Sequence, residues 1–116
     1  MNPTPLLSQA KSRRQFLKTS SSAAFGGIVI AVDISDAKLE WAKKFGAAYT
    51  INSSKVENIG KEIRKLTGGG ADIAMEAIGR PQTIEAAFGT LRKGGRLVVV
   101  GYSAEDIKLS AAKIMY

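Results

Sequence analysis

The sequence predicts an α/β domain built on a mostly parallel sheet. Two observations lead there. From Ile28 onward, short apolar runs of strand length alternate with amphipathic stretches of helix length. Glycine or proline marks most of the switches between them, as at Gly46, Gly68-Gly69-Gly70 and Pro81. Such alternation implies right-handed crossovers between parallel strands, with helices covering the sheet.

Each element has its own justification. Ile28 to Val32 is a β-branched run, as in a strand buried on both faces. Asp36 to Phe45 reads as a helix capped by Ser35 or Asp36, with Leu39, Ala42 and Phe45 on its inner face and Gly46 as its stop. Ala48 to Ile51 is a short strand. Lys55 to Leu66 reads as a second helix, with Val56, Ile59, Ile63 and Leu66 at helical spacing. Ala71 to Glu76 is the next strand. Pro81 to Leu91 is a third helix with proline in its first turn and Ile84, Ala87, Phe88 and Leu91 inward. Lys93-Gly94-Gly95 is a turn, Arg96 to Val100 a strongly apolar strand, and Leu109 to Met115 a last helix. Residues 1–27 differ in kind: they hold two prolines, a serine-rich run and a basic cluster, and are set apart as a leader before a domain over residues 28–116.

Composition narrows the chemistry. The chain has 116 residues, enough for one modest core, with 45% hydrophobic and 23% charged residues. No apolar run approaches the roughly 20 residues of a membrane-spanning helix. There is no cysteine and no histidine, which excludes disulfides, thiolate or imidazole zinc sites and His-based catalysis within the chain. The net charge is +7, yet Lys11, Arg13, Arg14 and Lys18 lie in residues 1–32, which hold no acid; the remainder carries only +3. With no aromatic stacking platform and no nucleic-acid motif, the basic balance belongs to the leader, and no nucleic-acid partner is expected.

The informative acid is Asp33. A carboxylate at the end of the second strand of a dinucleotide-binding unit accepts hydrogen bonds from the adenosine ribose and repels a 2′-phosphate, favouring NAD over NADP. Lys38, one turn into the next helix, would reach the same ribose. Asp33 could equally serve as a helix cap beside Ser35 and Asp36. Gly68-Gly69-Gly70 follows a helix and precedes a strand, the wrong order for a phosphate nest, and reads as a helix stop. Glu76 is a lone carboxylate without an acid–base partner.

The stretches "VIAVDISDAKLEWAKKFGA" and "LTGGGADIAMEAIGRPQTIEAAFGTLRKGGRLVVVGYSAE" resemble the cofactor domain of medium-chain, zinc-dependent alcohol dehydrogenases, over about residues 28–116. The resemblance implies that Asp33 is the ribose-binding acid and Lys38 a ribose contact. It matches Ala77, Ile78, Gly79 and Arg80 to the loop at the adenine end and its ribose. It matches Val100, Gly101 and Tyr102 to the loop that approaches the nicotinamide with backbone groups. The family reaction is hydride transfer between an alcohol and NAD, with zinc held by a separate domain. Without Cys or His, this chain is expected to bind no zinc, to hold no catalytic residue and not to oxidise alcohols alone.

The family's G-x-G-x-x-G turn should fall about 20 residues before Asp33, near Arg13. No glycine precedes Gly26, and no apolar strand lies there. The expected architecture is therefore an incomplete, Rossmann-like doubly wound sheet lacking its first strand and that turn. Two strand pairs would remain, with edges open to self-association, and NAD binding would be weak or lost. In place of the turn stands "SRRQFLK", Ser12 to Lys18, which resembles a twin-arginine export signal. A helix over Leu6 to Phe25 is the alternative for that segment. Location follows from the choice: cytoplasmic for the family, periplasmic or exported if the motif works. The rival functions are a non-enzymatic, exported or self-associating fragment and a methyltransferase-like nucleotide-binding unit, whose ribose would also suit Asp33.

Overall fold

The computed structural model describes residues 27–115. Strands and helices alternate as expected: β1 (Ile30–Asp33), α1 (Asp36–Lys44), β2 (Tyr49–Asn52), α2 (Ile59–Thr67), β3 (Ala71–Glu76), α3 (Pro81–Gly89), β4 (Leu91–Val99) and α4 (Ala111–Met115). The strands form two two-stranded parallel sheets, β1–β2 and β3–β4, which are the two pairs expected. The chain divides into two compact units between Asn58 and Ile59. The twin-arginine-like Ser12–Lys18 and the alternative helix Leu6–Phe25 lie outside the described residues.

In the first unit β1 and β2 run in register from Ile30↔Tyr49 to Asp33↔Asn52, and α1 is their crossover. Ser35 starts the helix by accepting the Lys38 amide at 3.4 Å, with Asp36 in the first turn where the helix dipole favours an acid. Leu39, Tyr49 and Ile51 form the core, each under a tenth exposed. Phe45, expected inward, is 83% exposed. The helix ends at Lys44, and Phe45 becomes its cap at φ −89°, ψ 5°, its amide still bonded to the Trp41 carbonyl at 3.0 Å. Its ring stacks instead on Trp41, four residues earlier, with centroids 6.1 Å apart. Lys44 Nζ sits 5.2 Å from the Trp41 ring centre.

The expected helix Lys55–Leu66 starts later, at Ile59. Asn52 caps a 3-10 turn over Ser53–Lys55 by accepting the Ser54 amide at 2.9 Å, and Val56 is extended.

In the second unit, Ile63 on α2 and Ile84 on α3 are the best-buried apolar residues, at 4% and 3% exposed. Arg64 Nη2 donates to the Gly89 carbonyl at 2.7 Å and ties the two helices. Gly68, Gly69 and Gly70 all have positive φ and end α2, as expected, before β3 begins. Side chains alternate along β3: Ala74 and Glu76 are buried, while Ile73 and Met75 are exposed. Helix α3 stops at Gly89 rather than Leu91, because Leu91 already pairs with Ala71. The expected turn Lys93–Gly95 is absorbed into β4 as an irregularity, and register resumes at Ile73↔Arg96. Arg92 Nε closes an ion pair with Asp72 at 2.6 Å across the two strands.

Candidate functional site

The carboxyl end of the β3–β4 pair is organised around Glu76, the last residue of β3. Its main-chain carbonyl accepts the amides of Val100 (2.7 Å) and Gly101 (3.1 Å), which start the loop after β4. Its side-chain Oε1 accepts the amides of Ile78 (2.5 Å) and Gly79 (2.7 Å), in the loop after β3. The Thr83 hydroxyl, in the first turn of α3, lies 3.2 Å from the same oxygen and 3.0 Å from the Arg80 carbonyl. It has one proton to give and donates to one of them at a time.

Glu76 is 4% exposed, and among the described residues no hydrogen bond reaches its buried Oε2. Burial pushes the pKa of the carboxyl up, but the amides of Gly79 and Ile78 and the Thr83 hydroxyl outweigh it. The group therefore titrates below its ordinary value.

The two loops touch through their glycines. Gly79 has φ +88°, and a Cβ there would overlap the Tyr102 backbone, whose nitrogen would stand 2.7 Å away. A Cβ on Gly101 would overlap the Gly79 backbone, with the Gly79 Cα at 2.7 Å. Only hydrogen at both positions allows this approach. The loops so held present Ile78, Val100 and Tyr102 to solvent, at 61%, 65% and 86% exposed. Ala77 and Arg80 are exposed beside them.

Seven of the expected site residues are thus brought together in the second unit. The amides of Ile78, Gly79, Val100 and Gly101 are all spent on Glu76. What these residues retain for a ligand is side chains and carbonyl oxygens. Thr83 and the anchoring role of Glu76 were not anticipated from sequence. The usable signal was an acid ending a strand, an Ile-Gly pair two and three residues on, and a threonine at the third position of the next helix.

The other two expected residues stand in the first unit. Asp33 ends β1 half-buried, and its Oδ1 accepts the Ser35 amide at 2.9 Å. That bond orients the carboxylate, and among the described residues no hydrogen bond reaches Oδ2. Lys38 is exposed in the first turn of α1. Helix capping is divided among neighbours: Ser35 takes the Lys38 amide, and Asp36 turns toward the end of β2. There Asp36 accepts Lys55 Nζ and Asn52 Nδ2, each at 2.8 Å. The Lys55 and Asn52 contacts hold the Asp36 carboxyl below its ordinary range. Asn52 Nδ2 also donates to the Ile34 carbonyl at 3.1 Å, fixing the turn after Asp33.

A catalytic zinc does not fit this donor set. The chain has no Cys and no His, and among the described residues no three acidic side chains gather at one point. An adenosine ribose fits Asp33 better, because its Oδ1 is oriented by the Ser35 amide and its Oδ2 has no hydrogen-bond partner among the described residues.

Comparison with known proteins bears on the whole arrangement. Residues 19–116 match the family model described as zinc-binding dehydrogenase. The chain is 34% identical over 92 residues to sorbitol dehydrogenase of Bacillus subtilis (strain 168), covering 78% of this chain and 26% of that protein. It is 44% identical over 98 residues to sorbitol dehydrogenase 1 of Saccharomyces cerevisiae, covering 78% and 28%. Among solved structures, benzyl alcohol dehydrogenase from Acinetobacter calcoaceticus superposes with a TM-score of 0.73 at 31% identity, over 85% of this chain and 28% of that one. The chain thus spans about a quarter of the length of the curated relatives it matches. On these matches, with parallel strands and helices in the expected order, the chain belongs to the zinc-binding dehydrogenase family as part of its NAD-binding domain.

Proposed function

We propose that this chain forms part of an NAD(H) site and does not oxidise alcohols by itself. Asp33 accepts the hydroxyls of the adenosine ribose, and Lys38 reaches the same sugar. The resemblance assigns the loops Ala77–Arg80 and Val100–Tyr102, both in the second unit, to the adenine end and the nicotinamide end of the cofactor respectively. The observation that carries this role is the glycine-on-glycine lock between those loops. It holds exposed Ile78, Val100 and Tyr102 beyond the carboxyl ends of parallel strands, where α/β sheets receive their ligands. When bound, the cofactor accepts or gives the hydride. This chain's residues bind and orient it, and zinc with its proton relay belongs to other parts of the relatives' length.

Calorimetric titration of NAD into the purified chain, with Asp33→Ala alongside, tests the proposal. Saturable binding that weakens in the variant is expected. No heat up to millimolar NAD overturns it. Incubation with NAD and an alcohol is expected to give no rise in NADH absorbance.

A second reading rests on Ile73 and Met75, 57% and 68% exposed on one face of β3. Apolar side chains left open on a sheet favour self-association. Sedimentation should then show a concentration-dependent dimer, and a monomer throughout counts against it. Export through Ser12–Lys18 concerns residues that precede the family match. It is tested by fusing residues 1–27 to a reporter and replacing Arg13 and Arg14 with lysine; a signal unaffected by the change rejects it.

A further inference from the structure

We propose that Glu76 is the positioning residue of this cofactor site, a role that rests on the NAD assignment above. Both loops that would meet the cofactor hang on this one residue. Its main-chain carbonyl fixes the start of the Val100–Tyr102 loop, and its Oε1 fixes Ile78 and Gly79. Thr83 ties the same oxygen to the first turn of α3, so the helix and the loop after β3 meet at the Glu76 side chain while the loop after β4 hangs on its main chain.

The burial of Glu76 indicates what it is for. A carboxylate at 4% exposure, its Oε2 without a hydrogen bond among the described residues, is a costly way to fill space. An apolar side chain would fill the volume more cheaply but would leave two loop amides without an acceptor. The structure keeps the acid because it needs the acceptor. Glu76 itself is buried beneath the loops, so it acts on a ligand only through them. The loops have no slack in which to compensate: Gly79 and Gly101 pack backbone on backbone, so a shift of one displaces the other.

The test is NAD titration of the full chain as wild type, Glu76→Gln and Glu76→Ala, with amide hydrogen exchange followed residue by residue. Glutamine keeps a carbonyl oxygen where Oε1 stands, and alanine removes it. The alanine variant should bind roughly 10–100-fold more weakly, as expected for losing charge-assisted hydrogen bonds. Its Ile78 and Gly79 amides should exchange faster. The glutamine variant should restore affinity to within about threefold and keep both amides protected. Rescue by glutamine separates loop positioning from a role of the charge itself.

If wild type binds and both variants bind equally well, the positioning role is overturned while the cofactor site stands. If wild type does not bind, the cofactor site falls and this role falls with it. Should Glu76→Ala not fold, Thr83→Val takes its place, removing one donor to the same oxygen. Binding weakened several-fold supports the role, and an unchanged Kd overturns it.

Discussion

Substituting Gly79 with alanine probes the loop lock directly. At φ +88° an L-residue costs about 1–2 kcal/mol in the left-handed region. The new methyl must also push aside the Tyr102 backbone, whose nitrogen would lie 2.7 Å from it. Moving either loop stretches the Gly79 amide away from Glu76 Oε1, a hydrogen bond to a charged group worth about 1.5–3 kcal/mol. The total is about 2.5–5 kcal/mol. That is a large share of the roughly 5–15 kcal/mol that holds a domain of ordinary size together. Gly68→Ala is the matched control. It lies in the same unit at φ +73°, but an added Cβ meets nothing within 4 Å, so only the backbone cost of about 1–2 kcal/mol remains. Urea unfolding followed by far-UV circular dichroism compares the two. Gly79→Ala should lose at least about 1.5 kcal/mol more than Gly68→Ala. Equal losses would refute the close approach of the two loops.

Other perturbations follow from the same geometry. Leu39→Ala, at 5% exposure on the inner face of α1, should cost about 2–4 kcal/mol, whereas Phe45→Ala, at 83%, should cost less than about 1 kcal/mol; similar losses would contradict the outward placement of Phe45. Gly89→Ala should stabilise by about 0.5–1 kcal/mol, since it is helical, lacks positive φ and has open space for a methyl; a lower urea midpoint would contradict this. Stability should also fall in acid. Glu76 has a depressed folded-state pKa, so its contribution is complete above its ordinary value of 4.5 and is lost as pH falls through the lower folded value. Asp36 behaves likewise around 3.8. Urea midpoints from pH 6 down to pH 3 should therefore drop less steeply in Glu76→Gln than in wild type, and identical slopes would exclude Glu76 as a contributor.

Much of the fold was legible because the breakers coincide with element ends. Gly46, Gly68–Gly70 and Pro81 each stand where a helix stops or starts, and Asp33 closes its strand as expected. The misplacements share one cause. Helical spacing put Phe45 and Val56 on inner faces, but spacing carries no information on where the ladder ends, and both residues lie just outside a helix. Lys93–Gly95 looked like a turn because its glycines permit one, yet pairing with β3 on either side carries the strand through it. At the site, residue types located the loops but not their hydrogen bonds. Val100, Gly101 and Tyr102 were expected to approach the nicotinamide with backbone groups; the amides of Val100 and Gly101 bond the Glu76 carbonyl, which leaves their carbonyl oxygens for that role. Main-chain partners depend on how a loop folds back, which no single residue type encodes.

The stacked pair on the outside of α1 sets how this molecule can be watched. Trp41 is the chain's one tryptophan and is 59% exposed, with Phe45 and Lys44 against its ring. Its emission in the native state should already be that of a wetted indole, open to collisional quenchers, and unfolding will change it little. It also belongs to the first unit alone. A fluorescence melt would thus record the fraying of one helix surface, while the loops hung on Glu76 come apart unseen.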